Sequence, residues 1–159
     1  MVRIIATKVS KGGVGKTTIC SNLAHYFTRE NYKVLMIDLD AQSNLSKNFM
    51  KKIKNNEKLT SSNLLGDESF NLRQNVHNIE ENLDLIVSDI GLSEVSRYLE
   101  KKGDYYRRLY RLECENLFED YDLVFLDLSP GVCDTLTEIA LCSADLLICP
   151  THLDIDSLM

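Results

Sequence analysis

Five short apolar runs punctuate this chain of 159 residues: Val2–Thr7, Lys33–Asp38, Leu83–Ser88, Asp122–Leu128 and Asp145–Cys149. Each is nearly unbroken by polar side chains, the pattern of a strand buried on both faces. The spacing between them predicts helices. Thr17–Arg29 would place Ile19, Leu23, Tyr26 and Phe27 on one face, followed by Asn44–Met50, Thr60–Leu65 closed by Gly66, Leu92–Lys102, Tyr105–Phe118 and Thr135–Cys142. Lys51–Lys58 is polar and reads as a loop. Apolar strands alternating with helices specify an α/β fold: a doubly wound, mostly parallel sheet flanked by helices on both faces. The length suits one domain. Thr151–Met159 reads as the start of another helix, so residues 1–159 are expected to form a single domain missing its C-terminal part.

Bulk properties narrow the classes of function. A net charge of −6 argues against a protein that coats nucleic acid, though not against a local basic patch. The five cysteines (Cys20, Cys114, Cys133, Cys142 and Cys149) show no C-x-x-C spacing; most sit in apolar runs and read as reduced core thiols of a cytoplasmic protein. The start of the chain is too short an apolar run for a signal peptide. No run approaches the roughly 18 apolar residues of a membrane span, so no membrane partner is expected.

Chemistry enters where the first apolar run meets Lys8-Val-Ser-Lys-Gly-Gly-Val-Gly-Lys-Thr-Thr18. A strand, a glycine-rich loop, Gly-Lys-Thr and then a helix form a phosphate-binding loop, which makes the expected fold a P-loop NTPase. The usual first glycine is replaced by Ser10, and a second lysine, Lys11, stands inside the loop. Gly12, Gly13, Val14 and Gly15 would turn backbone N–H groups toward phosphate oxygens, beside the positive end of the helix that carries Thr18. Lys16 would reach the β- and γ-phosphates of ATP, and the Thr17 hydroxyl would ligate Mg²⁺. Magnesium prefers oxygen ligands, so a carboxylate at a neighbouring strand end is required, and Asp127 closes such a strand. Asp38 and Asp40 close another, two residues apart and on one side. One of them could orient the attacking water and the other the metal's water shell.

These residues resemble a known family. Lys11-Gly-Gly-Val-Gly-Lys-Thr-Thr18 is similar to the deviant Walker A motif of ParA/Soj-type partition ATPases and the related MinD proteins. Asp38-Leu-Asp-Ala-Gln42 looks like their second acidic motif, and Tyr121-Asp-Leu-Val-Phe-Leu-Asp127 like their Walker B strand. Ile86–Leu92 and Ala144–Pro150 also sit where that family has similar segments. The resemblance implies a weakly active ATPase acting as a switch in plasmid or chromosome segregation. It implies that Lys11 reaches across an ATP-bound homodimer to the partner's nucleotide and that Asp40 positions the hydrolytic water. It further implies non-specific DNA binding, a ParB-like adaptor as stimulating partner, and a cytoplasmic, nucleoid-associated location. The chain departs from the family at Ala41, where proline is usual, at Leu128-Ser-Pro130, and in being shorter.

Three other readings share the loop. A MinD-like positioning ATPase would need a C-terminal amphipathic helix. An iron–sulfur carrier would need paired cysteines, and Cys133 stands without one. An ATP-dependent synthetase of the same superfamily would be told apart only by substrate residues. For DNA, two basic stretches qualify. Lys47–Lys58 holds five lysines, and Arg97–Arg111 holds six basic residues interleaved with Tyr98, Tyr105, Tyr106 and Tyr110. The plainer reading, preferred here, is a solvated helix surface with the tyrosines tucked beneath it.

Overall fold

The structure, a computed structural model, describes residues 2–53, 60–66, 76–102, 109, 118–131 and 133–151. In chain order the elements are β1 (Arg3–Thr7), α1 (Lys16–Arg29), β2 (Val34–Leu39), α2 (Asn44–Phe49), α3 (Ser61–Gly66), β3 (His77–Glu80), β4 (Leu83–Ile86), α4 (Leu92–Lys102), β5 (Leu123–Leu128), α5 (Thr135–Ser143) and β6 (Leu146–Ile148). They build one sheet of order β3-β4-β2-β5-β1-β6, parallel throughout except for β3. This is the expected α/β architecture.

The two faces of the sheet collect different residues from every strand, because successive side chains alternate. One face carries Ile4 and Ala6 of β1, Leu35, Ile37 and Leu39 of β2, and Val124, Leu126 and Leu128 of β5, covered by α3, α4 and α5. The other carries Ile5, Met36, Leu85 and Phe125 under α1 and α2. Central strands β2 and β5 are buried at every position, which is why they read as continuous apolar runs.

Five expectations need correction. The sheet has six strands, not five. β3 was missed because His77-Asn-Ile-Glu80 is not an apolar run: as an antiparallel edge strand it buries only His77 and Ile79 fully. It joins β4 through Glu81-Asn82, with Asn82 at φ 63°, the left-handed conformation that asparagine tolerates in tight turns. Second, α1 is rotated from its predicted orientation. Its buried stripe is Lys16, Cys20 and Ala24, whereas Tyr26 is 56% exposed. Small residues let the helix lie close to the sheet, and the larger Leu23 and Phe27 pack at the margins. Third, Tyr98 is half exposed rather than tucked under its helix. Fourth, β6 is not buried on both faces: it stands at an edge of the sheet, with Leu146 and Leu147 exposed. Fifth, Cys20 on α1 is buried, but Cys133, Cys142 and Cys149 are exposed rather than in the core. The predicted Tyr105–Phe118 helix and the stretches 54–58 and 103–108 lie largely or wholly outside the described residues.

Phe125 is fully buried and lies against Phe27, ring centroids 6.2 Å apart. Phe125→Ala is expected to cost about 3–5 kcal/mol of unfolding free energy, and Tyr26→Ala at most about 0.5 kcal/mol. Urea denaturation of both variants checks the corrected orientation of α1, since equal losses would contradict it.

Candidate functional site

Strand register assembles the site. Thr7 pairs with Asp127, and Asp127 pairs with Asp38, so three polar side chains stand abreast on β1, β5 and β2. All three end rows on the face covered by α1, at the carboxyl edge of the sheet, where ligands bind in such folds. The chain leaves β1 through the glycine loop and enters α1 beneath this row. Gly13 and Gly15 have φ of 82° and 85°, values closed to most other residues. Gly12 lies outside that region. An added Cβ at any of the three would meet no protein atom within 4 Å, so the space they leave open faces the cavity.

The loop delivers Lys16 and Thr17 onto Asp127. Lys16 Nζ donates to Asp127 Oδ1 at 2.5 Å, Thr17 Oγ1 to Oδ2 at 2.8 Å, and Thr7 Oγ1 to Oδ1 at 3.1 Å. Lys16 is 6% exposed and Asp127 not at all. A buried carboxylate is tolerated only with such compensation. Asp38 has its own donors: Asp40 N–H to Oδ1 at 3.1 Å, and Ser46 N–H and Oγ to Oδ2 at 2.8 and 2.6 Å. Burial nevertheless raises its pKa from 3.8 to about 6. The hydrogen bonds from Ser46 and Asp40 oppose the rise, and the neighbouring Asp127 charge adds to it.

Asp40 differs from both. Its Oδ1 accepts Gln42 N–H at 2.9 Å, while Oδ2 is buried with no hydrogen-bond partner among the described residues. Asp40 lines a cavity of about 540 Å³ together with Gly12, Gly13, Gly15, Lys16, Thr17 and Thr18. Sequence reasoning missed the rest of the wall: Val9, Asn44, Asn48 and Pro130. It read Lys47 as part of a basic stretch, preferably a solvated surface, but Lys47 lines the cavity, its Nζ donating to Gln42 O at 2.7 Å. Ser46 and Thr7 were missed as well. Thr7 was findable as the polar end of an apolar strand beside the loop. Asp38 is not among the residues that line the cavity, and Lys11 is exposed.

The residues fit a magnesium–nucleotide complex. Thr17 Oγ1 and Asp127 Oδ2 are hard oxygens 2.8 Å apart. Adjacent ligands of an octahedral Mg²⁺ stand about 2.9 Å apart, from metal–oxygen distances of about 2.0–2.1 Å. The α1 N-terminus has no side-chain cap and no acidic residue in its first turn, leaving its N–H groups and positive dipole end to an anion.

Fold and site together define a P-loop α/β nucleotide-binding domain. A family model described as an AAA domain (AAA_31) matches residues 2–159, and the chain belongs to that family, within the ParA/MinD superfamily of ParA-type ATPases. It is 32% identical over 143 residues to the virulence plasmid ParA family protein pGP5-D of Chlamydia psittaci, covering 89% of this chain and 54% of that protein. It matches a putative plasmid partition protein of Borrelia burgdorferi bound to AMPPNP, with a TM-score of 0.82 and 28% identity over 99% of this chain and 65% of that one. It also matches a cobyrinic acid a,c-diamide synthase of Mycobacterium smegmatis with bound ATP analogue and magnesium, with a TM-score of 0.81 and 25% identity over 99% and 66%. The chain spans about half the length of the curated relatives it matches.

The Asp38 carboxyl yields a pH prediction. Its folded-state pKa is raised, so the folded state binds the proton more tightly than the unfolded one. The stability this gives is complete below about pH 4 and is lost as pH rises through about 6, a change of about 3 kcal/mol. Asp38→Asn should remove that slope between pH 4 and 6. Denaturation of both proteins across this range, in magnesium-free buffer, is the check; parallel curves would contradict it.

Proposed function

We propose that this chain is the nucleotide-binding part of a ParA-type switch that binds ATP with Mg²⁺ and hydrolyses it slowly. The observation that carries the reading is Asp40: a buried carboxylate with one oxygen lacking a partner among the described residues, on the wall of a cavity floored by a phosphate-binding loop. The loop N–H groups and Lys16 would bind the phosphates, and Thr17 and Asp127 would hold the ion. Asp38, already engaged by Ser46 and Asp40, would act on the metal's water shell at one remove. Bound magnesium would supply charge neutralisation across the phosphates. Asp40 Oδ2 would accept a hydrogen bond from the attacking water and orient it. Lys11, an exposed residue of the loop, would act on a second subunit's nucleotide, so that turnover requires a homodimer.

DNA binding, a ParB-like adaptor and a role in segregation follow from the family and are part of the same proposal. Arg97 and Lys101 are exposed on α4. The likeness to the diamide synthase supports a second reading, an ATP-dependent synthetase. It predicts phosphate release only when an acid substrate is present, whereas a switch turns over without one.

Lys16→Ala is expected to abolish binding of a fluorescent ATP analogue. Asp40→Ala should retain binding but lose about 10²-fold or more in turnover. Wild-type turnover in that variant would sink the role given to Asp40. Lys11→Ala should bind ATP as a monomer yet fail to dimerise in light scattering. Mixed with Asp40→Ala it should recover part of the activity, because each subunit keeps what the other lacks; no recovery would count against the shared site.

A further inference from the structure

One lysine near the loop has no part in the reading above. Lys8 follows β1 and continues the row Ile4, Ala6 on the face covered by α5, opposite Thr7. Its half-buried ammonium lies across the end of that apolar row. There Nζ donates to Ser129 O at 2.8 Å and to Thr137 Oγ1 at 3.0 Å. A cation beside a helix N-terminus is disfavoured by the helix dipole. The N-cap of α5 offsets it: Asp134 Oδ1 accepts Thr137 N–H at 2.8 Å and Thr137 Oγ1 at 2.7 Å, and Oδ2 accepts Ser129 Oγ at 3.3 Å.

The bonds close a ring. It runs from the Lys8 ammonium to the Thr137 hydroxyl, to the Asp134 carboxylate, to Ser129 and back to Lys8. It includes Ser129, in the loop that begins after Asp127. That loop carries Pro130, part of the cavity wall, and is tied to the phosphate loop by Gly131 N–H donating to Val9 O at 3.1 Å. A part-buried ammonium is stabilised by the acceptors it reaches, and through two of them, Ser129 O and Thr137 Oγ1, Lys8 links the end of β1 to both residues.

We propose that Lys8 is a positioning residue for the nucleotide site. Its ammonium ties the loop after Asp127 and the start of α5 to β1, and so holds the Pro130 wall of the cavity in place. The effect on ATP turnover rests on the function proposed above; the hold on the loop does not.

The test compares the whole chain with Lys8→Met, which keeps the length but loses charge and donors, and with Lys8→Arg, which keeps both. Amide hydrogen exchange is read first without nucleotide. Lys8→Met should speed exchange at Gly131 and Thr137 about tenfold while leaving Ile37 and Phe125 in the central strands unchanged, and Lys8→Arg should stay near wild type. Unchanged exchange at Gly131 and Thr137, or faster exchange throughout the sheet, would overturn the proposal. With MgATP, Lys8→Met should keep Kd within about threefold and lose about tenfold in kcat, since misplacement affects turnover more than binding. Faster loop exchange with unchanged kcat would also overturn it. If wild type itself neither binds nor hydrolyses ATP, the proposed function fails while the exchange result still decides the hold on the loop. Should Lys8→Met not fold, Thr137→Val removes the hydroxyl link and is read the same way.

Discussion

Two carboxylates stand side by side at the carboxyl edge of this sheet, Asp38 and Asp127, at paired positions of adjacent parallel strands. Both are fully buried. Like charges so placed repel, and neither can be hydrated. The surrounding structure supplies the compensation: the Lys16 ammonium and two threonine hydroxyls for Asp127, and the N–H groups of Asp40 and Ser46 with the Ser46 hydroxyl for Asp38. The donors come from both flanking segments. The glycine loop and α1 answer one carboxylate, the β2–α2 turn the other. α1 and α2 are therefore joined to the row by hydrogen bonds as well as by apolar packing against the sheet.

Lys16 and Thr17 are the groups a nucleotide and its metal would recruit, and they are the groups that neutralise Asp127. The same row is joined to the turn that carries Asp40 by Asp40 N–H donating to Asp38. On the opposite face, Lys8 links the loop following Asp127 to α5. Both faces of the sheet thus report on one strand end.

Much of the architecture was legible because its causes are local. Buried central strands must be apolar on both faces, so β1, β2, β4 and β5 announce themselves. Glycines between a strand and a helix, closed by Gly15-Lys16-Thr17, turn backbone N–H groups inward and so mark a phosphate site within eight or so residues. What escaped was set by neighbours. β3 takes its place from hairpin pairing with β4, and its sequence alternates rather than runs apolar. The rotation of α1 was misjudged because Cys20 and Ala24, small and unassertive in sequence, are what allow close approach to the sheet.

The sequence by itself determined the parallel α/β sheet, the phosphate loop of Gly12–Thr18 and the acidic ends of two strands, since periodicity and glycine placement act within a few residues. Only the tertiary structure decided which carboxylates lie abreast, that Asp40 alone of the three aspartates opens on the cavity, and that Lys47 lines that cavity. It also showed Lys8 reaching a loop more than a hundred residues away in sequence. These depend on strand register and on the desolvation of charged groups brought together from distant parts of the chain, and neither is written in any local run of residues.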